Sequence, residues 1–348
     1  MGLLEGKTAL VTGGTGSLGR CLVQRLLTGE LGRPERVIVF SRDEAKQHDM
    51  RLSYANREAA TDEVIYADSS EVLSFEIGDV RDYEVVRSAV TRTDAIFHAA
   101  ALKQVPNCEY FPFEAVKTNV LGAQNIARAV AESGARVKLV VGISTDKACK
   151  PVNVMGMTKA LQERILVTAN LRCPNTRFVA VRYGNVIASR GSVLPLFVAQ
   201  ADKGGPVTVT GPEMTRFFLS LEEAVDTVVA AANEARPGEI YIPRVPAARM
   251  QDVARAVIGD RDVEITFTGI RPGEKVHEVL VSEEECHRTI QRGAYYVIRP
   301  MLPEFGEADR EAAVLSAEYS SADVTLDVAG LRELVAAHFT SLRGVAGA

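Results

Sequence analysis

The sequence predicts an α/β fold with a doubly wound parallel sheet, and three observations support this. Short apolar runs alternate with longer segments of helical period from residue 7 to about residue 183, as in successive parallel βα units. Runs such as KLVVGIS are apolar on both faces, which is typical of strands covered by helices on each side. A glycine-rich turn follows the first run directly.

The apolar runs predict the strands in chain order. They are TALVTG, RVIVF, DAIFHAA, KLVVGIS and FVAVRYG, and they define a cofactor-binding domain over residues 1–183. The alternation ends beyond residue 184, where proline and glycine turns separate short elements, and we expect a return to the sheet near residues 217–243. Residues 184–216 and 244–300 are predicted to form a smaller, discontinuous substrate lobe. Residues 301–348 are predicted to be a C-terminal extension that ends in a helix and a frayed tail.

Composition limits the class of protein. The 348 residues are 47% hydrophobic, enough to bury a large core and to form two lobes around one cleft. The net charge of −5 and the absence of Lys/Arg runs argue against nucleic acid or an anionic membrane as a partner. Five scattered cysteines without a CxxC pair predict neither a disulfide framework nor a metal site. No apolar run is long enough to span a bilayer, so we expect a soluble cytoplasmic protein.

The turn LVTGGTGSLG is predicted to bind the pyrophosphate of a dinucleotide, as in Rossmann-type folds. Its glycines have the spacing GxxGxxG between a strand and a helix, where the backbone approaches a pyrophosphate closely and helix N–H groups are free to hold it. A tight turn without a ligand is the alternative. The residues assigned to this cradle are Gly13, Thr15, Gly16, Ser17, Leu18 and Gly19.

The end of the second predicted strand suggests NADP as the cofactor. Arg42 stands where an NAD enzyme usually offers a carboxylate, with Ser41 and Lys46 nearby. A guanidinium group suits a 2′-phosphate, although Asp43 keeps NAD open. Asp79 in GDVRD is a candidate to cap the adenine, and a turn-forming or helix-capping aspartate is the equal alternative.

Seven segments together resemble the UDP-N-acetylglucosamine 4,6-dehydratases, which are extended short-chain dehydrogenase/reductases of bacterial polysaccharide and glycan synthesis. They occur in the family's order over roughly residues 5–300. The segments are TGGTGSLG, SRDEAKQ, HAAALKQVP, EAVKTNVLGAQN, STDKACKPVNVMGMTK, RYGNVIASRGSVLPLF and GIRPGEKVHEVL. The resemblance implies NADP as the cofactor, a UDP-sugar as the substrate and a homo-oligomer.

The resemblance implies further cofactor contacts. Lys159 stands where the superfamily's lysine holds the nicotinamide ribose. The other implied contacts are Val80, Ala99, Ala100, Ala101 and Asn119.

Met155 departs from the general superfamily pattern, which has tyrosine four residues before the lysine. A thioether cannot accept a proton, so proton transfers are expected from the neighbouring residues of STDK. The resemblance implies that Asp146 is the acid, that Lys147 is the base, and that Thr145 hydrogen-bonds the C4 hydroxyl. We expect burial and mutual charge to draw the pKa values of Asp146 and Lys147 towards neutrality. A surface ion pair at a strand end is the alternative.

Four residues match positions that contact UDP in the family: Asn185, Arg216, Arg271 and Glu274. Arginine suits a diphosphate and glutamate suits a ribose diol, whereas Asn185 is also a common turn residue. Lys103 is a candidate to face the sugar, and a solvated loop lysine is the alternative.

The implied reaction oxidises C4 of UDP-N-acetylglucosamine, eliminates water across C5 and C6 and returns the hydride to C6. Two alternatives stay open: a UDP-sugar 4-epimerase, and a catalytically silent NADP-binding regulator. The sequence leaves open the C5 configuration, the exact hexose and a 5,6-unsaturated product.

Overall fold

The computed structural model describes residues 2–54, 72–134, 136–187, 193–305, 311–323, 325–326, 330–331 and 333. Most of the last twenty residues, which were predicted to form a C-terminal helix and tail, lie outside the described residues, as do residues 188–192 of the RYGNVIASRG segment.

The described residues form sixteen strands. In chain order they are β1 (Thr8–Thr12), β2 (Arg36–Ser41), β3 (Leu73–Ile77), β4 (Ala95–His98), β5 (Leu139–Ile143), β6 (Arg177–Val181), β7 (Asn185–Val186), β8 (Val207–Val209), β9 (Thr215–Leu219), β10 (Ile240–Pro243), β11 (Ala247–Arg249), β12 (Ile265–Phe267), β13 (Val279–Val281), β14 (Thr289–Arg292), β15 (Tyr295–Ile298) and β16 (Tyr319–Ser320).

The same residues also form helices, several of which cover the large sheet. The α-helices are α1 (Ser17–Leu27), α2 (Glu44–Tyr54), α3 (Tyr83–Val90), α4 (Val105–Tyr110), α5 (Pro112–Ala115), α6 (Gly122–Glu132), α7 (Val154–Arg172), α8 (Val193–Asp202), α9 (Leu221–Glu234), α10 (Met250–Ile258) and α11 (Glu283–Cys286). A π-helix (Val116–Leu121) precedes α6, and 3₁₀ turns lie at Asp146–Ala148 and Pro303–Phe305.

The large sheet has nine strands in the order β14-β15-β10-β6-β5-β4-β1-β2-β3. In this order, each strand from β10 across the sheet to β3 is parallel to the next. Strands β15 and β14 pair antiparallel at the β10 edge. The chain reverses direction across the sheet between β1 and β4, which creates a crevice at the carboxyl ends of these strands. The predicted doubly wound α/β fold is confirmed.

The parallel strands are apolar because helices cover both faces of the sheet. Along β1, Ala9 and Val11 pack into one core cluster with residues of α1 and α9. Leu10, which points to the opposite face, packs into a second cluster with residues of α3, α6 and α7. A strand between two helical layers therefore needs apolar residues at consecutive positions.

The described residues also form smaller sheets outside the large one. They have the orders β11-β9-β7, β12-β8 and β13-β16, and α8 and α10 pack on β8 around a third apolar cluster. Strands β14 and β15 lie in the range 244–300 assigned to the substrate lobe but pair with the large sheet. The boundaries of the two lobes stay a prediction. None of the described helices has both the length and the apolar character needed to cross a membrane.

Candidate active site

A cavity of about 570 Å³ brings most of the predicted substrate residues together. Its lining includes Lys147, Asn185, Arg216, Arg271 and Glu274, which come from widely separated parts of the chain. A larger cavity of about 1460 Å³ is lined by none of the predicted site residues. The smaller cavity is therefore the candidate active site.

Lys103 differs from the other predicted substrate residues. It is exposed and is not among the residues that line the smaller cavity.

The glycine-rich turn has the shape that a pyrophosphate cradle requires. Gly13 has a φ of +68°, and a Cβ there would lie 2.8 Å from Ala100 Cα. A Cβ on Gly19 would lie 2.5 Å from Gly13 O, so larger residues would push the turn out of place. Gly16 is exposed and begins α1 without a side-chain cap, which leaves the first N–H groups of the helix free of a side-chain partner.

The residues at the end of β2 differ in their hydrogen-bond and ion-pair partners. Thr15 Oγ1 and Ser41 Oγ are 2.9 Å apart and join the glycine-rich turn to β2. Asp43 accepts a hydrogen bond from the Lys46 backbone N–H and pairs with its ammonium, and these bonds lower the pKa of Asp43. Arg42 keeps a side chain that is 55% exposed. The carboxylate that would favour NAD is thus occupied, and Lys46 is engaged as well.

Asp79 adopts the turn-forming arrangement. Its carboxylate accepts from the Arg81 backbone N–H at 3.0 Å and from Arg81 Nε at 2.9 Å, and it lies 3.6 Å from Arg42. Burial raises the pKa of Asp79, but the hydrogen bonds from Arg81 outweigh this and lower it overall. A contact with adenine stays a prediction.

Asn119 positions the loop after β4. Its side-chain amide accepts from Leu102 N at 2.8 Å and donates to Leu102 O and Thr158 Oγ1, both at 3.0 Å. Asn119 lies in the π-helix, a feature that often occurs at functional sites. Both N–H donors of the amide are used, and Asn119 holds the Ala99–Ala101 loop through Leu102, the residue that follows it. Val80 is buried.

The segment Thr145–Lys147 forms a tight turn at the carboxyl end of β5. Thr145 precedes the 3₁₀ turn, and the Asp146 backbone N–H donates to Tyr183 O at 3.0 Å. A Cβ on Gly156 would lie 2.1 Å from Lys147 O. Glycine at this position therefore lets the turn pack directly on the first turn of α7.

Lys147 lies between two carboxylates. Its Nζ is 3.1 Å from Asp146 Oδ1 and 3.1 Å from Glu278 Oε1, and 3.4 Å from Asn185 Oδ1. Thr145 Oγ1 donates to Asp146 Oδ1 at 2.8 Å. Asp146 is buried and the Lys147 side chain is 22% exposed, so the alternative of a surface ion pair does not fit.

The expectation of a lowered Lys147 pKa is wrong for this state of the protein. Burial lowers the pKa of Lys147, but the negative charges of Asp146 and Glu278 raise it more, and the net pKa is above its ordinary value. The sequence argument considered Asp146 and not Glu278. No spacing rule relates residues so far apart in the chain, so sequence reasoning missed this partner.

Met155 and Lys159 are both buried on α7, as their spacing predicted. Met155 packs with Cys108 and Ala115. Lys159 Nζ donates to Ile143 O at 2.5 Å and to Gln162 Oε1 at 2.6 Å, and burial lowers its pKa to about 7. These bonds tie α7 to β5, and a contact of Lys159 with a ribose stays a prediction.

The RPGEK loop is fastened to the amino end of α7. Asn153 accepts from Gly156 N at 2.8 Å and donates to Gly273 O at 2.7 Å. Arg271 is exposed, and its backbone N–H is 3.4 Å from Glu274 Oε2.

Arg216, in contrast, is buried and already bonded. Its guanidinium donates to Thr215 O at 2.7 Å and to Val276 O at 3.1 Å. These bonds fix the guanidinium at the cavity wall.

Comparisons with known proteins show the family and the fold. The family model for "Polysaccharide biosynthesis protein" matches residues 9–300. A Rickettsia conorii protein named UDP-glucose 4-epimerase is 41% identical over 341 residues, which cover 94% of this chain and 95% of that protein. The X-ray structure of Pen from Bacillus thuringiensis has a TM-score of 0.85 and 32% identity, and the match covers 97% of this chain and 99% of Pen. The dTDP-glucose 4,6-dehydratase DesIV from Streptomyces venezuelae shares the fold, with a TM-score of 0.64 and 22% identity over 77% of this chain and 86% of DesIV.

Proposed function

We propose that this chain, which belongs to the polysaccharide biosynthesis protein family, is an NADP-dependent UDP-N-acetylglucosamine 4,6-dehydratase. Its relatives in this family are extended short-chain dehydrogenase/reductases that modify nucleotide sugars. The observation that supports this best is the turn of Thr145, Asp146 and Lys147, in which Asp146 is hydrogen-bonded to both neighbours and Lys147 lines the cavity. Elimination of water needs both an acid and a base beside the sugar, and this turn supplies both.

The glycine-rich turn and Arg42 fit NADP. Gly13, Gly16 and Gly19 would hold its pyrophosphate, and the exposed guanidinium of Arg42 would hold its 2′-phosphate. When bound, the cofactor removes hydride from C4 and returns it to C6. The C4 ketone makes the C5 proton acidic enough for a side chain to remove.

The protons have a short path among the three side chains. Thr145 is proposed to accept the hydrogen bond of the C4 hydroxyl, and its own hydroxyl donates to Asp146 at 2.8 Å. This arrangement delivers the C4 proton to Asp146. Asp146 in turn protonates the C6 hydroxyl, which leaves as water.

Lys147 is proposed to remove the C5 proton. In the ion pair of the structure the lysine is an ammonium, so its proton must pass to solvent as the C4 proton arrives on Asp146, whose Oδ1 is 3.1 Å from Lys147 Nζ. These two transfers create the neutral amine and the protonated acid together. The pair therefore shares one proton and titrates as a unit.

The substrate residues support a UDP-sugar. Arg216, Arg271, Glu274 and Asn185 line the same cavity as Lys147, and a diphosphate needs guanidinium donors of this kind. A silent NADP-binding regulator has no need of such a cavity.

A UDP-sugar 4-epimerase is the second candidate, because the 41% identical Rickettsia protein has that name. Epimerisation needs one proton acceptor at the C4 hydroxyl. It also needs the 4-keto sugar to rotate between the two hydride transfers, so that hydride returns to the opposite face. It needs no acid directed at C6. The buried Asp146 beside Lys147 therefore favours the dehydratase.

Product mass separates the two candidates. The protein is incubated with NADP and UDP-N-acetylglucosamine, and the product is analysed by mass spectrometry. A dehydratase gives a product lighter by one water, whereas an epimerase gives a product of unchanged mass. A product of unchanged mass would refute the proposed dehydratase.

A further inference from the structure

Glu278 is a buried carboxylate in the wall of the candidate active site, and neither the sequence motifs nor the comparisons assign it a role. It follows the RPGEK loop and immediately precedes β13. Its residue exposure is 2%. It lines the same cavity as Lys147, and its Oε1 is 3.1 Å from Lys147 Nζ.

The second oxygen of Glu278 is buried and has no hydrogen-bond partner in the described part of the chain. The same holds for Asp146 Oδ2, so Lys147 is held between two carboxylates that each keep one oxygen unbonded. The two differ in their other neighbours. Glu278 has two further cations close by, Arg216 Nε at 3.8 Å and Lys275 Nζ at 4.0 Å, whereas Asp146 pairs with Lys147 alone among the ion pairs of the described residues.

These neighbours give the two carboxylates different tasks. An acid for the C6 hydroxyl must be protonated at the start of the elimination, and a protonated Asp146 cannot stabilise a new ammonium on Lys147 at that moment. A second carboxylate that keeps its charge can do so. The position of Glu278, within hydrogen-bond distance of the same Nζ, meets that need.

We propose that Glu278 is a positioning residue for Lys147: its carboxylate orients the amine and holds the ammonium that forms when Lys147 takes the C5 proton. The proposal rests on the dehydratase function. In the step, the C5–H bond breaks and its proton goes to Lys147, while its electron pair forms the C5–C6 double bond. The C6–O bond breaks, its electron pair stays on oxygen, and the proton of Asp146 completes the water molecule.

The charge on Glu278 has a measurable consequence for Lys147. Lys147 faces the charged groups of Asp146 and Glu278. Glu278 in turn faces Arg216 and Lys275. The carboxylates raise the pKa of Lys147 and Arg216 lowers it. Removal of the Glu278 charge should therefore make the amine easier to deprotonate and weaker as a base.

The test compares Glu278→Gln with the wild type in the full-length enzyme. The neutral side chain keeps the shape but loses the charge. The acidic limb of the pH–rate profile should move to lower pH by about one to three units. On the high-pH plateau kcat should fall by roughly 10–100-fold, less than the roughly 10²–10⁴-fold expected for loss of a general base. KM for UDP-N-acetylglucosamine should change little.

Two variants serve as controls. Glu278→Asp keeps the charge but withdraws it by one methylene, and its profile should lie between those of the wild type and Glu278→Gln. Glu274→Gln, from the proposed UDP grip, should raise KM and leave the acidic limb in place. If Glu278→Gln does not fold, Glu278→Asp decides, because an unaltered profile would overturn the proposal.

A measurement without turnover separates this proposal from the proposed function. The pKa of Lys147 is followed by NMR of its reductively methylated amine, with Lys147→Ala used to assign the signal. A lower pKa in Glu278→Gln supports the contact even if the wild type eliminates no water, in which case the dehydratase alone fails. The proposal for Glu278 is wrong if that pKa does not move, or if Glu278→Gln raises KM as Glu274→Gln does without a shift of the limb.

Discussion

At the residue scale, the charges at the end of β2 decide between two cofactors. Asp43 is occupied by Lys46, whereas Arg42 keeps an exposed guanidinium. We predict that Arg42→Ala weakens NADP binding by about 1.5–3 kcal/mol, because a charge-assisted hydrogen bond to the 2′-phosphate is lost. NAD binding should change little. Titration calorimetry with both cofactors measures this, and equal weakening of the two would show that Arg42 does not recognise the phosphate.

Met155 permits a second prediction at this scale. Its buried thioether packs with Cys108 and Ala115 and has no proton to exchange. Met155→Leu conserves volume, so it should cost less than about 1.5 kcal/mol of stability and retain substantial water elimination. The measurement is the elimination rate of purified variants. A loss as large as that of Lys147→Ala, in a protein that still folds and binds cofactor, would give Met155 a chemical role.

The sequence could identify the turn proposed to be catalytic but not all of its partners. Thr145, Asp146 and Lys147 are consecutive, so a single motif predicted that they act together, and in the structure Asp146 is hydrogen-bonded to both neighbours while Lys147 lines the cavity. Glu278 comes from a distant segment, and the fold alone brings it to Lys147. The charges of Asp146 and Glu278 together raise the pKa of Lys147, so the predicted direction of that pKa was wrong.

At the element scale, the first turn of α7 supports the Asp146–Ala148 turn. A Cβ on Gly156 would lie 2.1 Å from Lys147 O, a backbone atom, so the contact cannot be relieved by a side-chain rotation. We predict that Gly156→Ala costs about 1–3 kcal/mol of stability and lowers kcat because Lys147 moves. Denaturant unfolding and steady-state kinetics measure both effects.

Met157 gives a matched control for this prediction. It lies one residue further along α7 and its side chain is exposed, so Met157→Ala should change stability by less than about 0.5 kcal/mol. If Gly156→Ala were as active and as stable as this control, the packing of the turn on α7 would not matter for catalysis.

The strand alternation predicted the parallel part of the sheet and not its far edge. Parallel βα units leave a regular pattern of apolar runs, and β1, β2, β4, β5 and β6 follow it in the predicted order. The hairpin of β14 and β15 adds antiparallel to β10 late in the chain. It follows no crossover helix, so the alternation of strands and helices contains no signal for it.

At the scale of the whole molecule, a buried ion network joins the end of β5, just before Thr145, to distant elements. Arg182 follows β6 and is 2% exposed, and it donates to Glu163 on α7 at 2.7 Å and to Glu285 on α11 at 2.8 Å. Ser144, the residue before Thr145, donates to Glu163 at 2.5 Å. The network therefore fixes β5, β6, α7 and α11 relative to each other.

The acid stability of the molecule should depend on His98 at the end of β4. Its ring is fully buried with Nδ1 2.8 Å from Thr12 Oγ1, and burial lowers its pKa to about 3, with a smaller contribution from Lys159. In the unfolded chain the ordinary pKa is about 6.5. Between these values the unfolded state binds the proton and the folded state does not, so stability falls as pH falls from about 6.5 to about 3.

Unfolding in denaturant across that pH range measures the effect. His98→Gln removes the titration, so its stability should depend less on pH in the same window, even if its stability at pH 7 is lower than that of the wild type. Equal slopes of unfolding free energy against pH in the two proteins would show that His98 does not contribute.

The central claim, that Lys147 removes the C5 proton during elimination of water, is tested most directly in heavy water. Wild type, Lys147→Ala and the exposed control Lys138→Ala are incubated with NADP and UDP-N-acetylglucosamine, and products are analysed by mass spectrometry and NMR. Wild type and Lys138→Ala should release water and incorporate deuterium at C5. Lys147→Ala should bind NADP and UDP-sugar but eliminate water roughly 10²–10⁴-fold more slowly. Elimination by Lys147→Ala at near the wild-type rate would contradict the account, because the base would then lie elsewhere.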